Sequence, residues 1–99
     1  MDLKQIPVTD NELANQFEMR IDNKIAKIEY KITGDRIFLT HTEVPPALEG
    51  KGVAAILVEK VLHIVEERGL KLVPLCPYVA SYLRRHPDWK RLLAHGINL

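Results

Sequence analysis

The sequence predicts an α/β fold of the α+β kind: a mixed, mostly antiparallel sheet with one β–α–β crossover and helices towards the C-terminus. Three observations carry this expectation. Residues 17 to 32 alternate apolar with polar around a turn-forming Asp22-Asn23 pair, which predicts an antiparallel hairpin. Residues 52 to 68 repeat apolar positions at helical spacing, which predicts one long amphipathic helix. Short apolar runs at 37–39 and 70–75 flank that helix, so the stretch from 36 to 76 predicts a right-handed crossover between parallel strands.

The elements follow in order. Ile6 and Val8 flank Pro7, which suits a short edge strand, and Asp10 to Gln16 reads as a loop or one helical turn. Phe17, Met19 and Ile21 form one face of the first clear strand. Ala26, Ile28, Tyr30 and Ile32 form one face of the second. Gly34-Asp35 makes the next turn. Ile37-Phe38-Leu39 is apolar on successive positions, as for a central strand covered on both sides, and the strand from Arg36 runs to Val44 before Pro45-Pro46.

In the long helix Ala54, Leu57, Val58, Val61, Leu62 and Val65 make the apolar stripe, and Glu59, His63, Glu66 and Glu67 the wet side. Gly69 is placed to end it. Pro77 suits the first position of a helix reaching to about Arg85, with Tyr78, Val79, Tyr82 and Leu83 inward. Asp88 is an N-cap candidate for a last short helix that turns Trp89, Leu92 and Leu93 to one side and stops at Gly96.

Composition bounds the function. A chain of 99 residues with 46% hydrophobic residues fits one domain spanning 1–99, with a core that needs no metal or disulfide staple. Fourteen basic and 13 acidic residues leave a net charge of +1, which gives no general reason to expect nucleic acid or an anionic membrane as a partner. One cysteine excludes an internal disulfide, and the opening residues lack an apolar signal core; both fit a cytoplasmic protein. The longest helix carries too many charges to span a bilayer. Four scattered histidines with one cysteine show no metal-ligand spacing.

The chemistry centres on Glu49-Gly50-Lys51-Gly52-Val53-Ala54. A glycine turn that opens a helix after a strand brings unpaired N–H groups and the positive end of the helix dipole to one point, which suits a phosphate. The carboxyl ends of the two parallel strands, Thr40 to Val44 and Leu75-Cys76, arrive at the same place. An anion-binding turn, a cysteine and a histidine thus converge.

Three runs of residues now resemble the GNAT acetyltransferase superfamily, in particular its very small single-domain branch. These are His41-Thr42-Glu43-Val44-Pro45, the glycine turn just named, and Pro74-Leu75-Cys76-Pro77-Tyr78; the tail Arg85-His86-Pro87-Asp88-Trp89 is also similar to the family. The likeness covers roughly residues 17 to 93. Glu49 stands where the family usually has Arg or Gln; its carboxylate repels a pyrophosphate, and Lys51 is the candidate to offset it.

The resemblance implies acetyl-coenzyme A as cosubstrate. It implies that Gly50, Lys51, Gly52, Val53 and Ala54 hold the pyrophosphate through backbone N–H groups, and that the backbone of Thr42, Glu43 and Val44 holds the pantetheine arm. The thioester then points towards Cys76. Larger members carry two helices between their first two strands that shape the acceptor pocket. Only Asp22-Asn23 is expected here, so a bulky amine acceptor, on a protein or peptide, is favoured.

The catalytic candidates are Cys76 as a transient acyl carrier, His41 as the base for Cys76 or the amine, and Tyr82 as proton donor to the departing thiolate. Each also has a plain structural reading, as a core thiol, a polar strand end and a core aromatic. Arg84, Arg85, Lys90 and Arg91 form a basic cluster that reads either as a solvated face or as an anion site. Two other functions remain open at this stage: a non-catalytic acyl-coenzyme A binding or sensing module, and a small interaction module using the basic cluster.

Overall fold

The computed structural model describes residues 2–99. Five strands form one sheet in sequence order: β1 (Thr9–Asn11), β2 (Gln16–Ile21), β3 (Lys24–Thr33), β4 (Arg36–Glu43) and β5 (Lys71–Pro74). β1 to β4 pair antiparallel in succession, and β5 runs parallel to β4. Helix α1 (Val53–Glu67) makes the crossover, and α2 (Pro77–Arg85) follows β5. The fold class is the one the hydrophobic pattern predicts, because periods of 2 and 3.6 each select one element type.

Local chemistry explains the boundaries. Asp22 and Asn23 both adopt positive φ, +49° and +66°, so the two-residue turn between β2 and β3 matches the strand twist. Helix α1 closes with two backbone bonds: Gly69 N–H donates to Glu66 O at 3.1 Å and Leu70 N–H to Val65 O at 3.2 Å. The core lies between the sheet's inner face and the two helices, with Phe17, Met19, Ile28, Ile37, Leu39, Leu57, Leu62, Leu72 and Leu83 all without solvent exposure.

Several expectations need correction. The edge strand is Thr9–Asn11 rather than Ile6 to Val8. Pro7 lacks an N–H for the ladder, while Asp10 opposite Phe17 gains a buried partner. The connection between the first two strands is therefore residues 12–15, not Asp22-Asn23; it too is short and holds no helix. Ile32 is 42% exposed, because the β3–β4 hairpin runs past the helices. Phe38 is only half-buried: the outer face of the sheet carries no helix there, and Phe38 lines an open hollow of about 260 Å³ with Lys31, Thr40 and Leu75. Ala54 and Tyr78 are half-buried rather than in the core.

The last helix is a 3-10 segment, Pro87–Leu92, entered from His86 and with Asp88 inside its first turn. Leu93 leaves it in an extended conformation beside Leu72, and Ala94 N–H donates to Leu72 O at 2.8 Å. Pairing with the open edge of β5 satisfies more backbone groups than another helical turn would. Short 3-10 segments at Leu3–Gln5 and Pro46–Leu48 complete the chain.

One buried polar group fastens the edge of the sheet. Tyr30 Oη donates to Asp10 Oδ1 at 2.6 Å, and Arg68 Nη1 lies 2.9 Å from Asp10 Oδ2. That second oxygen is buried without a well-aligned hydrogen bond, and the guanidinium compensates it by charge. Burial, and then the Asp10 carboxylate, push the Tyr30 hydroxyl from its ordinary 10 up to about 12. The neutral phenol is the form the fold stabilises. Its contribution is complete below pH 10 and is lost as pH rises through about 12. Stability in urea should therefore fall by on the order of 2 kcal/mol across that window through this group alone. Tyr30→Phe should remove that part of the slope; a variant with an unaltered alkaline profile would contradict the assignment.

Candidate active site

The site is built where β4 and β5 part. Their ladder runs from Arg36 opposite Lys71 to Leu39 opposite Pro74. Leu39 O then accepts both Leu75 N–H at 3.0 Å and Cys76 N–H at 2.9 Å, and the chain turns into α2. β4 continues to Glu43 against β3 only, so the edge of residues 40–43 that faced β5 has no strand partner.

Cys76 is the N-cap residue of α2, ahead of Pro77, and its side chain makes no capping bond. Its Sγ lies 3.3 Å from Thr42 Oγ1. The residue is 4% exposed and packs with the core.

The glycine turn lies between the end of β4 and the start of α1. Leu48 N–H and Glu49 N–H close the short 3-10 segment on Pro45 O and Pro46 O, at 2.8 and 3.2 Å. Gly50 and Gly52 both sit at φ +79°, a conformation that costs a residue with a side chain on the order of 1 kcal/mol or more. An added Cβ at either would meet nothing within 4 Å, so the demand is for the backbone angle, and the space over the glycines is open.

The first helical bond runs from Ile56 N–H to Gly52 O at 3.2 Å. The consecutive N–H groups from Gly50 to Ala55 have no acceptor among the described residues, and the first turn of α1 holds no acidic side chain. They border a cavity of about 220 Å³ lined by Val44, Glu49, Gly50, Gly52, Ala54 and Tyr78, among others. The cavity lining reaches Val44 and Tyr78, two positions beyond Thr42 and Cys76 in the chain; Thr42 and Cys76 are not themselves part of it.

The other candidates fall elsewhere. His41 is on the exposed outer face, where Nε2 lies 3.6 Å from Glu43 Oε1 with both side chains more than half exposed. It makes no contact with Cys76. Tyr82 is buried on the seam between α1 and α2, stacked on His86 at 4.3 Å and donating to Glu59 Oε2 at 3.4 Å. Burial, and then the Glu59 carboxylate, raise its hydroxyl above the ordinary value. Tyr78, not Tyr82, is the tyrosine lining the cavity.

Lys51 lines a separate hollow with Leu3, Ile21, Asp22, Leu48 and Val53, and is not among the residues lining the cavity at Glu49. In the basic cluster, Arg91 is already engaged with Glu66 Oε2, through Nε at 2.9 Å and Nη2 at 2.8 Å, and lies 4.6 Å over Trp89. No group of three or more His, Cys, Asp or Glu residues suited to a metal occurs among the described residues. No described helix is long and apolar enough to cross a membrane.

A five-stranded mixed sheet with β4 and β5 parting at a glycine-opened helix defines a small acetyltransferase-like α/β protein. Residues 16–92 match the family model described as GCN5-related N-acetyl-transferase. The chain belongs to that family.

Its relatives include Protein NATD1 of Gallus gallus and of Homo sapiens, each 35% identical over 85 residues. These alignments cover 83% of this chain, and 77% and 75% of the respective relatives. The NMR solution structure of a GCN5-like protein from Staphylococcus aureus superimposes with a TM-score of 0.71 at 25% identity, covering 99% of this chain and 94% of that one.

Proposed function

We propose that the chain is an acetyl-coenzyme A-dependent N-acetyltransferase acting on a bulky amine, such as one on a protein or peptide. The observation that carries this reading is the run of unpaired N–H groups from Gly50 to Ala55, at two left-handed glycines, opening onto a cavity that reaches Val44 and Tyr78. Oriented amides at a helix start favour a diphosphate over any neutral ligand. Thr42, Glu43 and Val44 lie on the unpaired edge of β4 and its continuation, and supply the backbone polar groups for an extended amide-bearing arm. The short connection at 12–15 leaves the acceptor side without a helical wall, which favours a large acceptor.

In this reading Cys76 is the acyl acceptor. Its sulfur gives up its proton and attacks the thioester carbonyl carbon. The carbon–sulfur bond to the carrier breaks, and the carrier leaves as a thiolate that takes up a proton. The acceptor amine then attacks the S-acetyl carbonyl carbon, the carbon–sulfur bond to Cys76 breaks, and the proton lost by the amine returns the Cys76 thiolate to the thiol as the amide leaves. His41, on the outer face beside Glu43, is turned away from Cys76 and takes no part in this transfer. A reducing cytoplasmic setting suits the free thiol.

Acetyl-coenzyme A at about 100 times its Kd should stabilise the fold by about 2.7 kcal/mol, a rise in melting temperature of roughly 10 °C or more. No rise would end the reading. Intact mass after incubation should show one added acetyl group, absent from Cys76→Ala. Full amine acetylation by Cys76→Ala would mean direct transfer. A second reading, a non-catalytic acyl-coenzyme A sensor, is favoured by the Glu49 carboxylate on the cavity wall and the low exposure of Cys76. Thiol release that depends on added amine separates the enzyme from the sensor.

A further inference from the structure

One extra residue in β4 decides which side chain meets the thiol. Ile37 and Leu39 point inward and are fully buried. Strict alternation would next turn His41 inward and Thr42 outward. The ladder with β3 breaks that rule: Tyr30 stands opposite Leu39, but Glu29 stands opposite His41, so Thr40 is left over as a bulge. The Thr40 hydroxyl donates to Glu29 O at 3.2 Å and ties the bulge down.

Beyond it the parity is reversed. Thr42 stands opposite Ile28, which is fully buried, and so shares the inner face. His41 shares the outer face with Glu43, its ion-pair partner. Among the described residues, Thr42 Oγ1 at 3.3 Å is the hydrogen-bond partner of Cys76 Sγ.

We infer that Thr42 is the positioning residue of Cys76: its hydroxyl donates to the sulfur once the thiol proton has left, holding the nucleophile in place. This rests on the reading of Cys76 as acyl acceptor. A hydroxyl donating to an anionic sulfur makes a charge-assisted bond, and in a nearly buried site no water replaces it. His41, by contrast, is turned away by the bulge.

Iodoacetamide tests the pairing without any acyl carrier. The sulfur attacks the methylene carbon, a carbon–sulfur bond forms, the carbon–iodine bond breaks and iodide leaves. Cys76 is the single cysteine, so intact mass reads its rate directly. Thr42→Val keeps the shape and removes the donor. It should slow alkylation about tenfold with the melting temperature of the free protein little changed, and Thr42→Ser should recover the rate to within about threefold.

An unchanged or faster rate in Thr42→Val overturns the inference. So does a His41→Gln protein slowed as much as Thr42→Val. Melting with acetyl-coenzyme A on the same proteins separates the two ideas. A ligand shift with a neutral Thr42→Val sinks only the pairing. A slow Thr42→Val without any ligand shift sinks only the acetyl-coenzyme A reading.

Discussion

Ala54→Glu should leave the protein folded and at least as stable, yet lower its affinity for coenzyme A by tenfold or more. Ala54 is in the first turn of α1, half-buried and on the cavity wall, in a turn that holds no acidic side chain. A carboxylate there complements the helix dipole, worth about 0.3–1 kcal/mol. The same carboxylate stands where the unpaired N–H groups would hold a diphosphate. Two like charges about 4 Å apart repel by roughly 1 kcal/mol in water and about 4 kcal/mol near a protein surface, which outweighs the dipole term.

The two effects therefore have opposite signs, and thermal melting with and without ligand reads both. Affinity unchanged in a folded Ala54→Glu protein would place the phosphates elsewhere. Glu49→Gln is the complementary change: it removes a carboxylate from the same wall and should tighten binding severalfold.

Phe17→Ala should cost the fold about 3–5 kcal/mol, a large part of the 5–15 kcal/mol typical of a domain. Phe17 has no solvent exposure, its ring centroid lies 4.7 Å from that of Tyr30, and the Arg68 guanidinium stands 5.7 Å from it. Truncation opens a cavity beneath the one polar cluster that ties β1, β3 and the end of α1 together. Part of the loss would come from Arg68 and Tyr30 no longer being held over Asp10. Urea unfolding measures it; a loss below about 1 kcal/mol would mean that the core closes around the gap. Phe17→Leu, which retains most of the volume, should cost much less.

The residues that repeat with a fixed period were legible from the start. Phe17, Met19 and Ile21, then Ala26, Ile28 and Tyr30, then the stripe from Leu57 to Val65 all face the core as alternation and helical spacing require. The turns at Asp22-Asn23 and Gly69, the start of α2 at Pro77, and the glycine turn were legible because few residues adopt those backbone angles or lack that N–H. Of the candidate site residues, Cys76 and the run Gly50 to Ala54 were picked out by residue type and place in the chain, and Gly50, Gly52, Val53 and Ala54 line the cavity at the start of α1. Tyr78 and Tyr82 share one side of α2 by helical spacing, and only the packing of α1 against α2 shows that Tyr78 lines the cavity while Tyr82 meets Glu59.

The sequence by itself determined the order of elements, the faces of β2, β3 and α1, and the conformation of the glycine turn. Each depends on a period or a backbone angle set within a few residues. Only the tertiary structure decided that Thr42 rather than His41 meets Cys76, that Lys51 lines a different hollow from Glu49, and that the tail joins the sheet beside Leu72. The bulge at Thr40 falls just past the point where β4 leaves β5 at Leu39, while its ladder with β3 continues to Glu43. A single chain segment read alone has no neighbour against which to miscount, so a shift of one residue leaves no mark in it.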